Sequence, residues 1–123
     1  MTLKDHIIKH FKSYKNAIVG FDVLKKETNF WAEMIILFII IATVLVLKIA
    51  LFDSVLLFVV WTFLVGAEAL NTAIELMADI ICEKHSKNIA KVKDVSALGV
   101  LLVAGGLFAL YLYVVLKYAV FGV

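Results

Sequence analysis

Three apolar segments, each long enough to cross a lipid bilayer, constrain the fold of this chain more than any other feature of its sequence. They are residues 30–51, 54–82 and 94–120. About 20 apolar residues suffice for a helix to cross the hydrocarbon core. Because 64% of the 123 residues are hydrophobic and the mean hydropathy is +1.05, we predict an all-α integral membrane protein with one domain, residues 1–123.

The segment before the first span has a different pattern. Apolar residues recur at helical spacing from Leu3 to Phe21, with lysines on the other side. This pattern predicts an amphipathic helix at the membrane surface or, equally, a helix docked on the rest of the bundle. Polar residues 25–29 then interrupt the pattern. We therefore predict that residues 3–29 form a surface helix and a joint.

The connections between the spans indicate how the chain lies in the membrane. Phe52-Asp53-Ser54 is predicted to form a tight turn, and residues 83–93 are predicted to form a lysine-rich loop. Lysines also concentrate before the first span, whereas the turn carries Asp53. Because basic residues favour the cytoplasmic side, we expect the N-terminus and the loop in the cytoplasm and the C-terminus outside.

The charged residues and the cysteine content exclude several classes of function. The net charge is only +2, and no basic cluster alternates with stacking aromatics, so we expect no nucleic-acid binding. All twelve basic residues are Lys, which leaves no bidentate guanidinium contact to phosphate. The single Cys82 excludes an internal disulfide. Anion binding would therefore depend on ammonium groups, backbone amides or a metal.

The second span carries a polar stripe that is unusual in a membrane helix. Its members fall within about a third of the helix circumference; they are Glu68, Asn71, Thr72, Glu75 and Asp79. Ionisable groups in a membrane helix are functional candidates, and polar contacts between helices are the alternative. Because the stripe leads from the cytoplasmic end into the bilayer, it predicts a reaction between a water-soluble and a membrane-dissolved reactant.

Phosphoryl transfer to a lipid hydroxyl fits this stripe. Glu68, in the drier position, would accept the proton of the attacking hydroxyl. Glu75 and Glu27 would hold Mg²⁺, and Lys93 would contact phosphate oxygens of ATP. The chain has neither a GxxxxGK[ST] loop nor a GxGxxG loop, so the metal and Lys93 would carry most of the phosphate charge.

The polar stripe also bears on the oligomeric state. We do not expect three spans to enclose it alone, so Glu68 and Glu75 are predicted to face a groove that another subunit completes. This reasoning predicts a homo-oligomer, and a trimer in particular.

A family resemblance rests on two strings at the cytoplasmic ends of the second and third spans. They are EALNTAIE at Glu68–Glu75, followed by Asp79, and AKVKD at Ala90–Asp94. These strings resemble the signature of the bacterial integral-membrane diacylglycerol kinase and undecaprenol kinase family. The resemblance implies a homotrimer in the bacterial inner membrane, with MgATP as the phosphate donor and a membrane lipid alcohol as the acceptor at the cytoplasmic face.

The resemblance also implies catalytic and metal-binding roles for individual residues. Glu68 matches the presumed catalytic base, and Glu75 matches a metal ligand. Glu27 resembles the second metal-linked glutamate of the family. Glu33 also stands at a matching place, without an assigned role.

The remaining roles concern the nucleotide and the lipid. Asn71 matches the polar neighbour of the base, and Lys93 and Asp94 match the pair near the nucleotide. No residue of the N-terminal helix is assigned to the nucleotide. The resemblance leaves two substrates open, of which we predict diacylglycerol, with undecaprenol as the alternative.

Two other classes of protein remain as alternatives. A small proton-coupled exporter would use a membrane glutamate such as Glu68, but it gives no role to Asn71 or Glu75. A noncatalytic assembly subunit would use the polar stripe only to pair helices. Both alternatives predict no phosphoryl transfer from ATP to a lipid alcohol.

Overall fold

The computed structural model describes residues 2–81 and 86–122. The regular structure in this part of the chain is entirely helical, and its elements in chain order are α1 (Leu3–Leu24), α2 (Thr28–Leu47), α3 (Leu51–Ile81) and α4 (Lys87–Ala119). Helices α2, α3 and α4 are each long and apolar enough to cross a membrane. The predicted all-α architecture with three candidate spans is therefore confirmed. Cys82 and residues 83–85 of the predicted loop lie outside the described residues.

Helix α1 begins at a capping box. The Thr2 backbone N–H donates to Asp5 Oδ2 at 2.7 Å, and Thr2 Oγ1 accepts from the Asp5 backbone N–H at 3.3 Å. The Thr2 backbone and hydroxyl hold the pKa of Asp5 below its ordinary value. Along the helix, large apolar side chains such as Phe11 and Ile18 are exposed. The apolar side of α1 is therefore uncovered in the single chain.

The joint between α1 and α2 is shorter than the sequence pattern indicates. Lys25 caps the end of α1, Glu27 is the N-cap of α2, and α2 begins at Thr28. The Trp31 indole N–H donates to the Lys25 backbone carbonyl at 2.9 Å. This bond, together with an edge-on contact of Phe21 with Phe30 at 5.3 Å between ring centroids, defines the corner.

The predicted turn at Phe52-Asp53-Ser54 is wrong, because these residues lie in the first turn of α3. Helix α2 ends at Leu47, and Lys48 adopts the left-handed conformation at φ 53° and ψ 46°. That conformation is uncommon outside glycine, so the sequence carried no signal for it. Asp53 instead occupies the start of a helix, where negative charge is favourable.

The described part of the predicted lysine-rich loop, residues 86–93, is also largely helical. Helix α4 begins at Lys87, and Ser86 caps it by accepting the Asn88 backbone N–H at 3.3 Å. Asp94, expected to open the third helix, lies about two turns inside it. A serine N-cap followed by good helix formers explains the earlier start.

Antiparallel helices α3 and α4 form the core, with α2 packed beside them. Leu57 and Val114 are fully buried at their contact. Near the turn after α2, Asp53 accepts from Lys117 Nζ at 2.9 Å and from the Tyr118 hydroxyl at 2.7 Å. The Tyr118 hydroxyl in turn accepts the Ala50 backbone N–H at 3.1 Å. Together these bonds attach the end of α4 to the turn between α2 and α3.

The single chain exposes more surface than a compact soluble protein of its size. Its accessible surface is 9367 Å², whereas a soluble monomer of 13.7 kDa exposes about 6,600 Å². Large apolar side chains occupy much of this surface on all four helices. The fold therefore presents an extensive apolar surface for lipid or for other chains.

Candidate functional site

Glu68 is a buried carboxyl group in the middle of α3. Its exposed fraction is 2%, and Asn29 Nδ2 donates to Glu68 Oε1 at 2.8 Å. Asn29 lies in the first turn of α2, so the partner of Glu68 comes from the neighbouring helix. The chain therefore encloses Glu68 by itself, which corrects the expectation that another subunit is needed for this residue.

A second buried carboxyl group, Glu33, lies beside the first. It stands one helical turn beyond Asn29 on α2 and is 4% exposed. The Trp61 indole N–H donates to the Glu33 backbone carbonyl at 2.9 Å, which fixes this turn of α2 against α3. Glu33 Oε2 has no hydrogen-bond partner within the described residues. Asn29, one turn before Glu33 on α2, binds Glu68, and Trp61, about two turns before Glu68 on α3, binds the Glu33 backbone. The two carboxyl groups therefore lie on the facing sides of these helices.

Sequence reasoning assigned no function to Asn29 or Glu33. Their spacing of four places them on one face of a helix, and this signal was available in the sequence. The sequence did not indicate which helix packs against that face. The structure brings Asn29 and Glu33 to the part of α3 that carries Trp61 and Glu68.

Asn71 and Glu75 form the next part of the polar stripe. Asn71 Nδ2 donates to Glu75 Oε1 at 3.1 Å. Asn71 is buried and Glu75 is half-buried. Asn71 Oδ1 has no hydrogen-bond partner in the part of the chain that the structure describes. The amide therefore orients the Glu75 carboxylate and leaves an oxygen acceptor beside it.

Lys93 and Asp94 lie near the start of α4. Lys93 Nζ forms an ion pair with the carboxylate of Asp79 on α3, and Asp94 is exposed. The ammonium group expected to contact phosphate thus has a carboxylate partner in this structure. It lies on the outer part of the stripe, where Asp79 is 65% exposed, so the pair is accessible to a soluble anion.

The carboxylates predicted to hold a metal come from two helices. Glu27 is the half-buried N-cap of α2 and forms no side-chain capping bond, while Glu75 lies on α3. Within residues 2–81 and 86–122, no three His, Cys, Asp or Glu side chains form a metal-binding group. Mg²⁺ commonly binds through one or two carboxylates, with phosphate oxygens and water completing its shell. The donor chemistry of Glu27, Glu75 and the unpartnered Asn71 Oδ1 fits such an ion.

An apolar cleft lies beside the polar stripe. It has a volume of about 550 Å³ and separates the C-terminal part of α1 from α3. Thr72, a member of the stripe, lines this cleft and is buried. The other lining residues are small or apolar and include Ala17, Gly20, Gly66, Ala69 and Ala73. The cleft therefore joins an apolar volume to the row of polar side chains.

Comparison with known proteins gives one significant match. A family model described as prokaryotic diacylglycerol kinase matches residues 15–116. This range contains Asn29, Glu33 and every residue predicted for the site. Neither a curated protein nor a solved structure matches the chain significantly.

Proposed function

Because this chain belongs to the prokaryotic diacylglycerol kinase family and is thus a membrane lipid kinase, we propose that it transfers a phosphoryl group from ATP to diacylglycerol, forming phosphatidic acid. The family predicted from the two sequence strings is confirmed. The observation that carries the proposal is the burial of Glu68 in an apolar helix with one oxygen held by Asn29. We place the reaction at the cytoplasmic face of the bacterial inner membrane, with the N-terminus in the cytoplasm.

Glu68 serves as the general base in this proposal. The hydroxyl of the lipid loses its proton to Glu68 while its oxygen bonds to the γ-phosphorus, and ADP leaves with the bridging oxygen. The Asn29 amide occupies Oε1, so Oε2 is the oxygen that accepts the proton. A carboxylate held in this way is oriented before the substrate arrives.

Glu27 and Glu75 would hold Mg²⁺ in the proposed site. The ion would neutralise charge on the phosphate oxygens of ATP. Asn71 keeps Glu75 oriented. Lys93 and Asp94 would contact the nucleotide, with Lys93 exchanging the Asp79 carboxylate for a phosphate oxygen; both are oxyanions that an ammonium group binds as a point charge.

The apolar cleft between α1 and α3 supports a lipid as the acceptor. Its lining matches acyl chains in polarity, and Thr72 marks where the cleft meets the polar stripe. A lipid lying in the cleft with its hydroxyl toward the stripe would approach Glu68 from within the bilayer. Undecaprenol offers the same combination of a hydroxyl and an apolar body and is the alternative substrate.

We further propose a homotrimer. The exposed apolar side chains fit lipid as well as other copies, so the support for association comes from the polar stripe. Glu75 is only half-buried in one chain, so another subunit would complete the enclosure of this part of the stripe.

The test is a side-by-side transfer assay with purified protein, MgATP and each lipid alcohol in mixed micelles. We expect a higher kcat/KM for diacylglycerol than for undecaprenol. Glu68→Gln is the matched control for background transfer and should lose about 100-fold or more in kcat. A preference for undecaprenol would reassign the substrate, and absence of transfer to either lipid would favour the exporter or the assembly subunit.

A further inference from the structure

We propose that Glu33 and Glu68 form a buried carboxyl pair that shares one proton, with the negative charge on Glu68 and the proton on Glu33. Glu33 is then a positioning residue that keeps the base charged and oriented without a second charge beside it. The effect of this pair on catalysis rests on the proposed function, whereas the presence of a proton on Glu33 does not.

Both carboxyl groups lie in surroundings of low polarity. Glu33 is 4% and Glu68 is 2% exposed, both within helices apolar enough to span a membrane. Two like charges in a medium of low dielectric cannot both be stabilised, so one of the two groups keeps its proton. The indole bond from Trp61 to the Glu33 carbonyl prevents this turn of α2 from moving away from α3.

The two carboxyl groups differ in their hydrogen bonds. Glu68 accepts the Asn29 amide N–H, which stabilises a negative charge on Glu68. Glu33 Oε2 has no donor among the described side chains and backbone groups. Burying a carboxylate without a donor costs far more free energy than burying the neutral carboxylic acid. The proton therefore belongs to Glu33 and the charge to Glu68.

A nearby positive charge would stabilise Glu33 in its ionised form. From α3, Glu68 faces Glu33 across the contacts made by Asn29 and Trp61, and both of these contacting side chains are neutral. Among the described lysines, Lys25 is paired with Asp22 at the end of α1, and Lys93 of α4 is paired with Asp79. None of the ion pairs among the described residues involves Glu33.

The decisive measurement is infrared spectroscopy of the purified protein in a detergent that has no ester carbonyl. At neutral pH we expect a carbonyl band of a protonated carboxyl group that shifts in D₂O. This band should be absent in Glu33→Gln and present in Glu68→Gln. Asp53→Asn is the matched control, because Asp53 is also buried but accepts from Lys117 and Tyr118 and is therefore ionised. Persistence of the band in Glu33→Gln, or its absence from the unmodified protein, overturns the proposal.

The second measurement is the pH dependence of kcat for lipid phosphorylation. In the unmodified protein, kcat should fall at alkaline pH, when the pair loses its remaining proton and the two charges repel each other. Glu33→Gln should lack this alkaline fall, because an amide has no proton to lose in this range. Glu33→Leu, which cannot make a hydrogen bond, should have kcat about tenfold lower than Glu33→Gln.

The two measurements separate failure of this proposal from failure of the proposed function. A protonated-carboxyl band assigned to Glu33 in a protein without kinase activity would leave the pair in place and remove the function. Equal kcat in Glu33→Gln and Glu33→Leu, with the alkaline fall retained in both, would mean that Glu33 contributes only to packing.

Discussion

Individual side chains determine what the buried part of α3 can do. A carboxylate has two oxygens, and the Asn29 amide occupies one of those of Glu68. Farther along the stripe, Asn71 occupies one oxygen of Glu75 in the same way. In both cases an amide fixes a carboxylate and leaves one oxygen for another partner.

The Asn29 amide should matter for turnover more than for nucleotide affinity. We expect Asn29→Ala to lower kcat about tenfold to 100-fold, because a hydrogen bond to a charged group contributes about 1.5–3 kcal/mol. The KM for ATP should change little. Asn16→Ala, at an exposed position of α1, is the matched control. Equal kinetics in both variants would remove Asn29 from the mechanism.

The three carboxylates of the proposed site should differ in their dependence on Mg²⁺. Glu68→Gln should lower kcat about 100-fold or more at every Mg²⁺ concentration, because it removes a base. Glu27→Gln and Glu75→Gln should instead raise the Mg²⁺ concentration needed for half-maximal rate, because they remove ligands. The measurement is the initial rate across a Mg²⁺ titration. Mg²⁺-independent losses of equal size in all three variants would contradict this division of roles.

Lys93 is the ammonium group expected to bind phosphate. Lys93→Ala should raise the KM for ATP and lower kcat severely, since the chain has no Arg that could replace it. Lys87→Ala should be nearly silent, because Lys87 is exposed in the first turn of α4 and contributes only about 1 kcal/mol of attraction to anionic headgroups. Normal kinetics in Lys93→Ala would mean that Lys93 serves only to form the ion pair with Asp79.

At the scale of elements, hydropathy predicted the helices well and their ends less well. Long apolar runs can form little other than helices in a membrane, so all three spans follow from composition. The turn after α2 did not, because Lys48 adopts a left-handed conformation that no neighbouring Gly or Pro announces. The bond between Asn29 and Glu68 was also beyond prediction, since it joins positions 39 residues apart and depends on how two helices pack.

The polar contacts at the end of α4 should stabilise the fold without affecting the chemistry. Asp53→Ala leaves the Tyr118 hydroxyl and the Lys117 ammonium without their acceptor and should lower the Tm by several degrees in detergent. Lys117→Met should lower it less, because Tyr118 still reaches Asp53. Thermal unfolding by circular dichroism measures both variants. A loss of kcat at temperatures where Asp53→Ala is folded would contradict a purely structural role.

At the scale of the whole molecule, the surface is the feature that a single chain leaves unexplained. Sequence reasoning expected other subunits to enclose Glu68, yet α2 and α3 of one chain do so. The same reasoning remains a prediction for Glu75. The expectation for Glu68 was based on the number of spans, and that number does not reveal how closely two helices pack.

Sites shared between subunits should allow two inactive variants to complement each other. We expect mixed trimers of Glu68→Gln and Glu75→Gln to recover part of the activity, if Glu68 of one subunit works with Glu75 of another. The two variants are mixed either in the unfolded state and refolded together, or after each has formed its own oligomer. Only the co-refolded mixture should be active. Light scattering in detergent gives the stoichiometry, and an active monomer would refute the trimer.

The two ends of the α3–α4 pair have a mechanical consequence. Asp53 binds the end of α4, and Asp79 binds its beginning, so the two helices are joined at points about 39 Å apart along α3. While no nucleotide occupies Lys93, both links oppose sliding of one helix along the other. We expect relative motion to be left mainly to α1, with the corner at residues 25–27 as its pivot. The width of the cleft should then change through swinging of α1, while the row of polar side chains on α3 keeps its place.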